Sequence, residues 1–290
     1  MKTTFGSYFV ASLGSLGVVF ALLSVPASAQ TRDSGNAAAI PQHEQIKVLP
    51  PGGPTPRMAD GHPDFSGVWF PGVTGDGNLN DAGLAGDYTL ARRDPKQTPE
   101  PKPALQPWAA AKLREMYPSE VDIQLHSPAV NCTPRGIPAM WIWNPYPIQL
   151  VTVPAQFIQL NEMDVDYRVV PMDGRSHAKD PDPTFHGDAV GHWEGDTLVI
   201  DVIGIDERTW NNRQGWFHSD QEHIVERITR PSMNYLTYQV TIEDPKVLTK
   251  PWVSPVYTWS LGHEPLQEFY CTHTEEVNQY SVLKNKLEAK

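Results

Sequence analysis

His192-Trp193-Glu194-Gly195-Asp196-Thr197-Leu198-Val199-Ile200-Asp201-Val202-Ile203 is the stretch whose reading decides the fold. Leu198, Ile200 and Val202 alternate with Thr197, Val199 and Asp201, the period of two that sends successive side chains to opposite faces of a strand. Glu194-Gly195-Asp196 is a compact turn sequence between two arms, so the stretch predicts a β-hairpin. The same period recurs outward from it. Upstream, Ile148–Val153, Gln156–Glu162 and Tyr167–Met172 read as three strands, and Ser66–Phe70 as an earlier short one. Downstream, His223–Thr229 and Tyr235–Ile242 predict a second hairpin, followed by Val253–Leu261 and Phe269–Thr274. One helix is expected from Leu105 to Met116, with Pro107 in its first turn and Pro118 as its stop.

About nine short strands with one or two helices predict an all-β, mainly antiparallel chain whose sheet must protect its edges. A single closed or nearly closed barrel of about eight to nine strands, lipocalin-like and with long loops, is favoured over a two-sheet sandwich and leaves room for one small ligand. The 28 prolines and 21 glycines suit many turns and argue against a helical bundle. The formal net charge of −11 repels polyanions, which weighs against a nucleic-acid partner.

Residues 1–29 read as a secretory signal: Lys2 precedes an apolar run, and Ala27-Ser28-Ala29 has the small-x-small form of a signal-peptidase site. Residues 30–63 are polar and rich in Pro, Gly and Ala, a flexible leader; 64–290 form the single barrel domain. No other segment is apolar enough to span a membrane, so a periplasmic or secreted bacterial protein is expected. In that compartment the two cysteines, Cys132 and Cys271, allow one pairing. The loop such a disulfide closes is worth roughly 4–5 kcal/mol by chain entropy.

Pro63-Asp64-Phe65-Ser66-Gly67-Val68-Trp69, Cys132-Thr133-Pro134-Arg135-Gly136-Ile137-Pro138 and Val190-Gly191-His192-Trp193-Glu194-Gly195-Asp196-Thr197-Leu198-Val199-Ile200-Asp201 form a series. His218-Ser219-Asp220, Glu243-Asp244-Pro245 and Pro251-Trp252 continue it. Over about residues 60–255 the chain resembles a family of exported bacterial proteins with a PDxSGxW start and a WEGDTLVVDT hairpin. The resemblance implies an exported, lipocalin-like barrel and assigns no catalytic residue. The chain departs from the family pattern at His192, where Arg commonly precedes the Trp, and at Gly187-Asp188-Ala189, where Gly-His-Ser is usual.

Titratable residues crowd between His186 and Arg227. If the lumen is the polar side of the strands, Asp201 meets His223 and Arg227, or Glu226, inside the barrel, with Glu162 and Arg168 added from earlier strands. A His beside a carboxylate is a proton-transfer pair, because imidazole titrates near working pH and the carboxylate fixes its tautomer. His218 and His223 are the expected acid and base, Asp201 or Glu226 the orienting carboxylate, and Arg168 or Arg227 the anion stabiliser. Glu162, His192, Trp141, Trp143 and Trp193 are expected to line the ligand. The reaction is read as cofactor-independent elimination, hydration, isomerisation or hydrolysis of a small apolar, possibly aromatic, molecule. The alternative is a non-catalytic carrier of a hydrophobic compound. No metal site is expected, since no His-Glu-x-x-His occurs and the histidine spacings suit no zinc helix.

Overall fold

The computed structural model describes residues 49–71, 101–128, 130–142, 144, 146–163, 166–212, 214–268 and 271. The signal-peptide assignment, Trp143 and all of the Phe269–Thr274 strand except Cys271 lie outside them. The elements run β1 (Gly67–Pro71), α1 (Pro107–Met116), α2 (Glu120–His126), α3 (Ala139–Ile142), β2 (Ile148–Val153), β3 (Gln156–Asn161), β4 (Asp166–Pro171), β5 (Asp188–Glu194) and β6 (Thr197–Ile203). They continue with β7 (His223–Ser232), β8 (Tyr235–Glu243), β9 (Trp252–Val253) and β10 (Tyr257–Gly262).

Every strand pairing is antiparallel, in the order β4-β3-β2-β1-β10-β8-β7-β6-β5, with the short β9 beside β8. This is a nearly closed nine-strand barrel. The single strand expected over 253–261 is two, because Ser254-Pro255 interrupts it and proline has no N–H to donate to a ladder. In the deciding hairpin Glu194 pairs with Thr197, and Gly195 takes φ +60° in the two-residue turn, a conformation that favours glycine.

The ring is open at one junction. No ladder joins β4 to β5, and side chains close the gap instead. Val170 and Met172 lie against the bare backbone of Gly191, where a Cβ would stand 2.3 Å from the Met172 sulfur. At one end of this seam His186 Nε2 is 2.6 Å from Asp166 Oδ2.

The inward faces of the strands fill the lumen. Trp69, Leu150, Phe157, Ile200, Tyr238 and Trp259 have at most 1% of their surface exposed, so no water-sized void adjoins them. The wholly buried α3 adds Trp141, stacked on Tyr238 at 4.5 Å and edge-on to Trp259 at 5.3 Å. The expected ligand space is therefore occupied by the protein's own aromatic side chains.

Two ties fix outlying described segments to this body. Cys132 and Cys271 form the disulfide. Residues 49–57, placed by composition in the leader, lie along the β7–β8 turn through Asn234 Nδ2 to Pro50 O (2.8 Å) and Thr55 Oγ1 to Arg230 O (2.6 Å). Arg57 then grips Asp196 with two bonds of 2.8 and 2.7 Å, and His62 stacks on Trp193 at 4.6 Å. Among the described residues no helix is long and apolar enough to cross a membrane.

Candidate functional site

Strand alternation divides the expected site into two groups that never meet. Glu226 and Arg168 point into the lumen from β7 and β4, strands that are not neighbours. Arg168 Nη1 and Nη2 bind the Glu226 carboxylate at 2.7 and 3.0 Å, and Arg168 Nε donates to Gln159 at 3.1 Å. Tyr238 donates its hydroxyl to Glu226 at 2.9 Å. Burial, with the adjacent carboxylate, pushes that hydroxyl well above its ordinary pKa, so it stays a donor. Every charge here is matched in a dry interior, which is the condition for tolerating a buried ion pair.

That arrangement corrects three expectations. Glu226 is not the orienting carboxylate of a histidine, Arg168 is not a free anion stabiliser, and Trp141 does not line a ligand cavity. Each is packed by other side chains. Glu162 is likewise buried, accepting the Gln267 N–H at 2.8 Å. Trp193 is covered by His62 and Phe65.

Asp201 and His223 stand on the outer face of β6 and β7, a diagonal pair in the register that sets Asp201 opposite Val225. Around them runs an unbroken alternation of carboxylates and imidazoles over four strands. Asp188 of β5 lies 3.1 Å from His177 Nδ1, and His177 Nε2 lies 2.7 Å from Asp201 Oδ1. Asp201 Oδ2 lies 2.8 Å from His223 Nε2, and His223 Nδ1 is 3.6 Å from Glu243 at the end of β8. Burial alone would raise the Asp201 pKa, but its hydrogen bonds from His223 and His177 outweigh it and hold the carboxyl below its usual value. Asp201 is thus an anion, and it selects the N–H at Nε2 of His223.

His223 opens onto a groove of about 1000 Å³ on the outside of the barrel. One wall is the β4–β5 loop at Asp180, Pro181 and Pro183; Ile203 and Ile205 give it an apolar side. Arg208 and Lys246 also line it, each bound to a carboxylate: Arg208 to Asp206 at 2.6 Å and Lys246 to Asp220 at 2.5 Å.

His218 does not share the groove with His223. Its side chain is fully buried, with Nε2 2.8 Å from Thr209 Oγ1 and Nδ1 3.5 Å from Glu222. Glu222 accepts a short hydrogen bond from Asn211, and its burial raises the carboxyl to about 7. The expected His218–His223 acid–base pair is therefore replaced by two separate histidines, one structural and buried, one half-exposed. His192 and Arg227 are outer-face residues farther along the wall; both sit beside Glu194, at 3.5 and 2.8 Å.

Two members of the outer chain escaped the sequence. Glu243 was legible in principle, because the β7–β8 hairpin register places it opposite His223. His177 lies in a loop without periodicity and carried no signal. Among the described residues no cluster of three or more His, Cys, Asp or Glu is arranged to hold a metal ion. No family model matches the chain, and no curated protein or solved structure is significantly similar to it, so the likeness drawn from its motifs rests on those motifs alone.

Proposed function

We propose that the protein is an exported enzyme performing cofactor-independent proton-transfer chemistry on a small molecule bound in the outer groove. His223 is the acid–base group and Asp201 its orienting carboxylate. The observation that carries this reading is the Asp201–His223 contact of 2.8 Å at a groove His223 itself lines, with one third of its side chain exposed. The ionised Asp201 holds the Nε2–H, which leaves Nδ1, beside exposed Glu243, to take up and return a proton. Pro181, Pro183, Ile203 and Ile205 suit the apolar part of the substrate. Elimination, hydration, isomerisation and hydrolysis all draw on such a group, and all lie within this proposal.

The test is a product screen by mass spectrometry. Wild type, His223→Gln and Asp201→Asn are incubated with a panel of esters, lactones, epoxides, β-hydroxy carbonyls and enols bearing aliphatic or aromatic groups. New products from wild type, lost in His223→Gln and at least ten-fold slower in Asp201→Asn, support the proposal. Molecules bound and released unchanged would establish a carrier instead.

A further inference from the structure

The groove wall made by the β4–β5 loop is fastened at its two ends in different ways. At the far end the backbone does the work. Thr184 bridges Ile205, with Thr184 N donating to Gly204 O at 3.1 Å and Asp206 N to Thr184 O at 2.9 Å. Pro181 lies so close to Gly204 that a Cβ there would stand 2.9 Å from its Cγ. From 173 to 180, by contrast, no backbone-to-backbone bond to the barrel is present among the described residues.

Side-chain carboxylates hold that near half. His177 places Nδ1 3.1 Å from Asp188 and Nε2 2.7 Å from Asp201, and the Ala178 N–H donates to the same Asp188 oxygen at 2.8 Å. Asp201 uses its other oxygen for His223. One carboxylate therefore joins the fastening of the groove wall to the imidazole that faces the groove.

We infer that His177 is a positioning residue: it pins residues 173–180, the segment leading into the groove wall, and locks Asp201 in the orientation that holds His223. The role given to His223 rests on the proton-transfer reading above; the pinning itself does not. A carboxylate gripped on one oxygen turns freely about its side-chain torsions, whereas one gripped on both is fixed. Without His177, Asp201 keeps a single partner, and Asp188 and Asp201 lose the group between them. The groups facing His177 are Asp188 on β5 and Asp201 on β6, with Arg175 of its own loop close enough to Asp188 to feel its charge.

Trypsin reads the pinned segment directly, because Arg175 and Lys179 flank His177 by two residues on each side and both are exposed. A pinned loop resists cleavage because a protease needs a locally opened segment. The experiment compares the folded protein with His177→Ala, His177→Gln and His223→Gln. Expected for His177→Ala is cleavage after Arg175 or Lys179 at least ten-fold faster, with an unchanged circular dichroism spectrum. The His223 Nε2–H resonance, expected in the ¹⁵N-edited NMR spectrum of wild type, is expected to broaden away in the same variant. His177→Gln, whose amide can still donate to Asp201, restores part of both signals and serves if the alanine variant unfolds. Cleavage rate and His223 resonance both as in wild type would overturn the inference. His223→Gln separates the two claims: it abolishes turnover if the proton-transfer reading holds, and leaves tryptic resistance intact whether or not it does.

Discussion

Glu226 and Asp201 are carboxylates on adjacent strands, one register step apart, yet they live on opposite sides of the barrel wall. Glu226 is wholly buried and held by a guanidinium and a phenol. Asp201 is a third exposed and is held by two imidazoles. The same side-chain type is cemented into the structure on one face and left chemically available on the other. What decides is the partner and the access of water, and alternation along the strand assigns both.

The comparison can be broken most forcefully from the inside. Glu226→Ala strands Arg168 in the lumen and is expected to cost about 3–5 kcal/mol in denaturant unfolding. The double change Arg168→Met with Glu226→Leu should recover most of that loss. An equal loss in both would mean that the ion pair itself, rather than the avoidance of an orphaned charge, supplies the stability.

Glu222 comes next. Its carboxyl is raised from 4.5 to about 7, so the unfolded chain ionises before the folded one does. Its contribution is complete below pH 4.5 and is lost as pH rises towards 7, by on the order of 3 kcal/mol. Glu222→Gln should therefore unfold at higher denaturant than wild type at pH 7.5, with the advantage gone at pH 4.5. Asp201 runs the other way. Its lowered pKa stabilises the fold above the ordinary value of 3.8, and the benefit disappears as pH falls below it. Partial exposure limits Asp201→Asn to about 1 kcal/mol at neutral pH. Smallest on stability is His223→Gln, within about 0.5 kcal/mol by thermal melting, although it should remove turnover entirely. A large loss of stability there would place His223 on the structural side of the comparison.

The sequence foretold the barrel well, because Thr197–Ile203 and its neighbours alternate cleanly and the Glu194-Gly195-Asp196 turn has the chemistry of a two-residue hairpin. It also put Asp201, His223 and Arg227 on one face. It did not say which face was the lumen. Lipocalin-like reasoning favours a polar interior, whereas the apolar members Leu198, Ile200 and Val202 went inward and carried Glu226 with them. α2 was missed because its start signal, Ser119 accepting the Asp122 N–H, sits in a stretch too short to show a helical period. His177 is a third kind of miss: a loop residue recruited by tertiary contacts, which no local pattern announces.

The seam between β4 and β5 gives the cylinder a preferred direction of yielding. Every other junction must surrender a row of main-chain bonds before it parts. This one gives way when Val170 and Met172 slide off a glycine and a histidine lets go of Asp166. Thermal breathing should therefore unroll the wall from this line first, baring the edges of β4 and β5 while the rest of the sheet stays zipped.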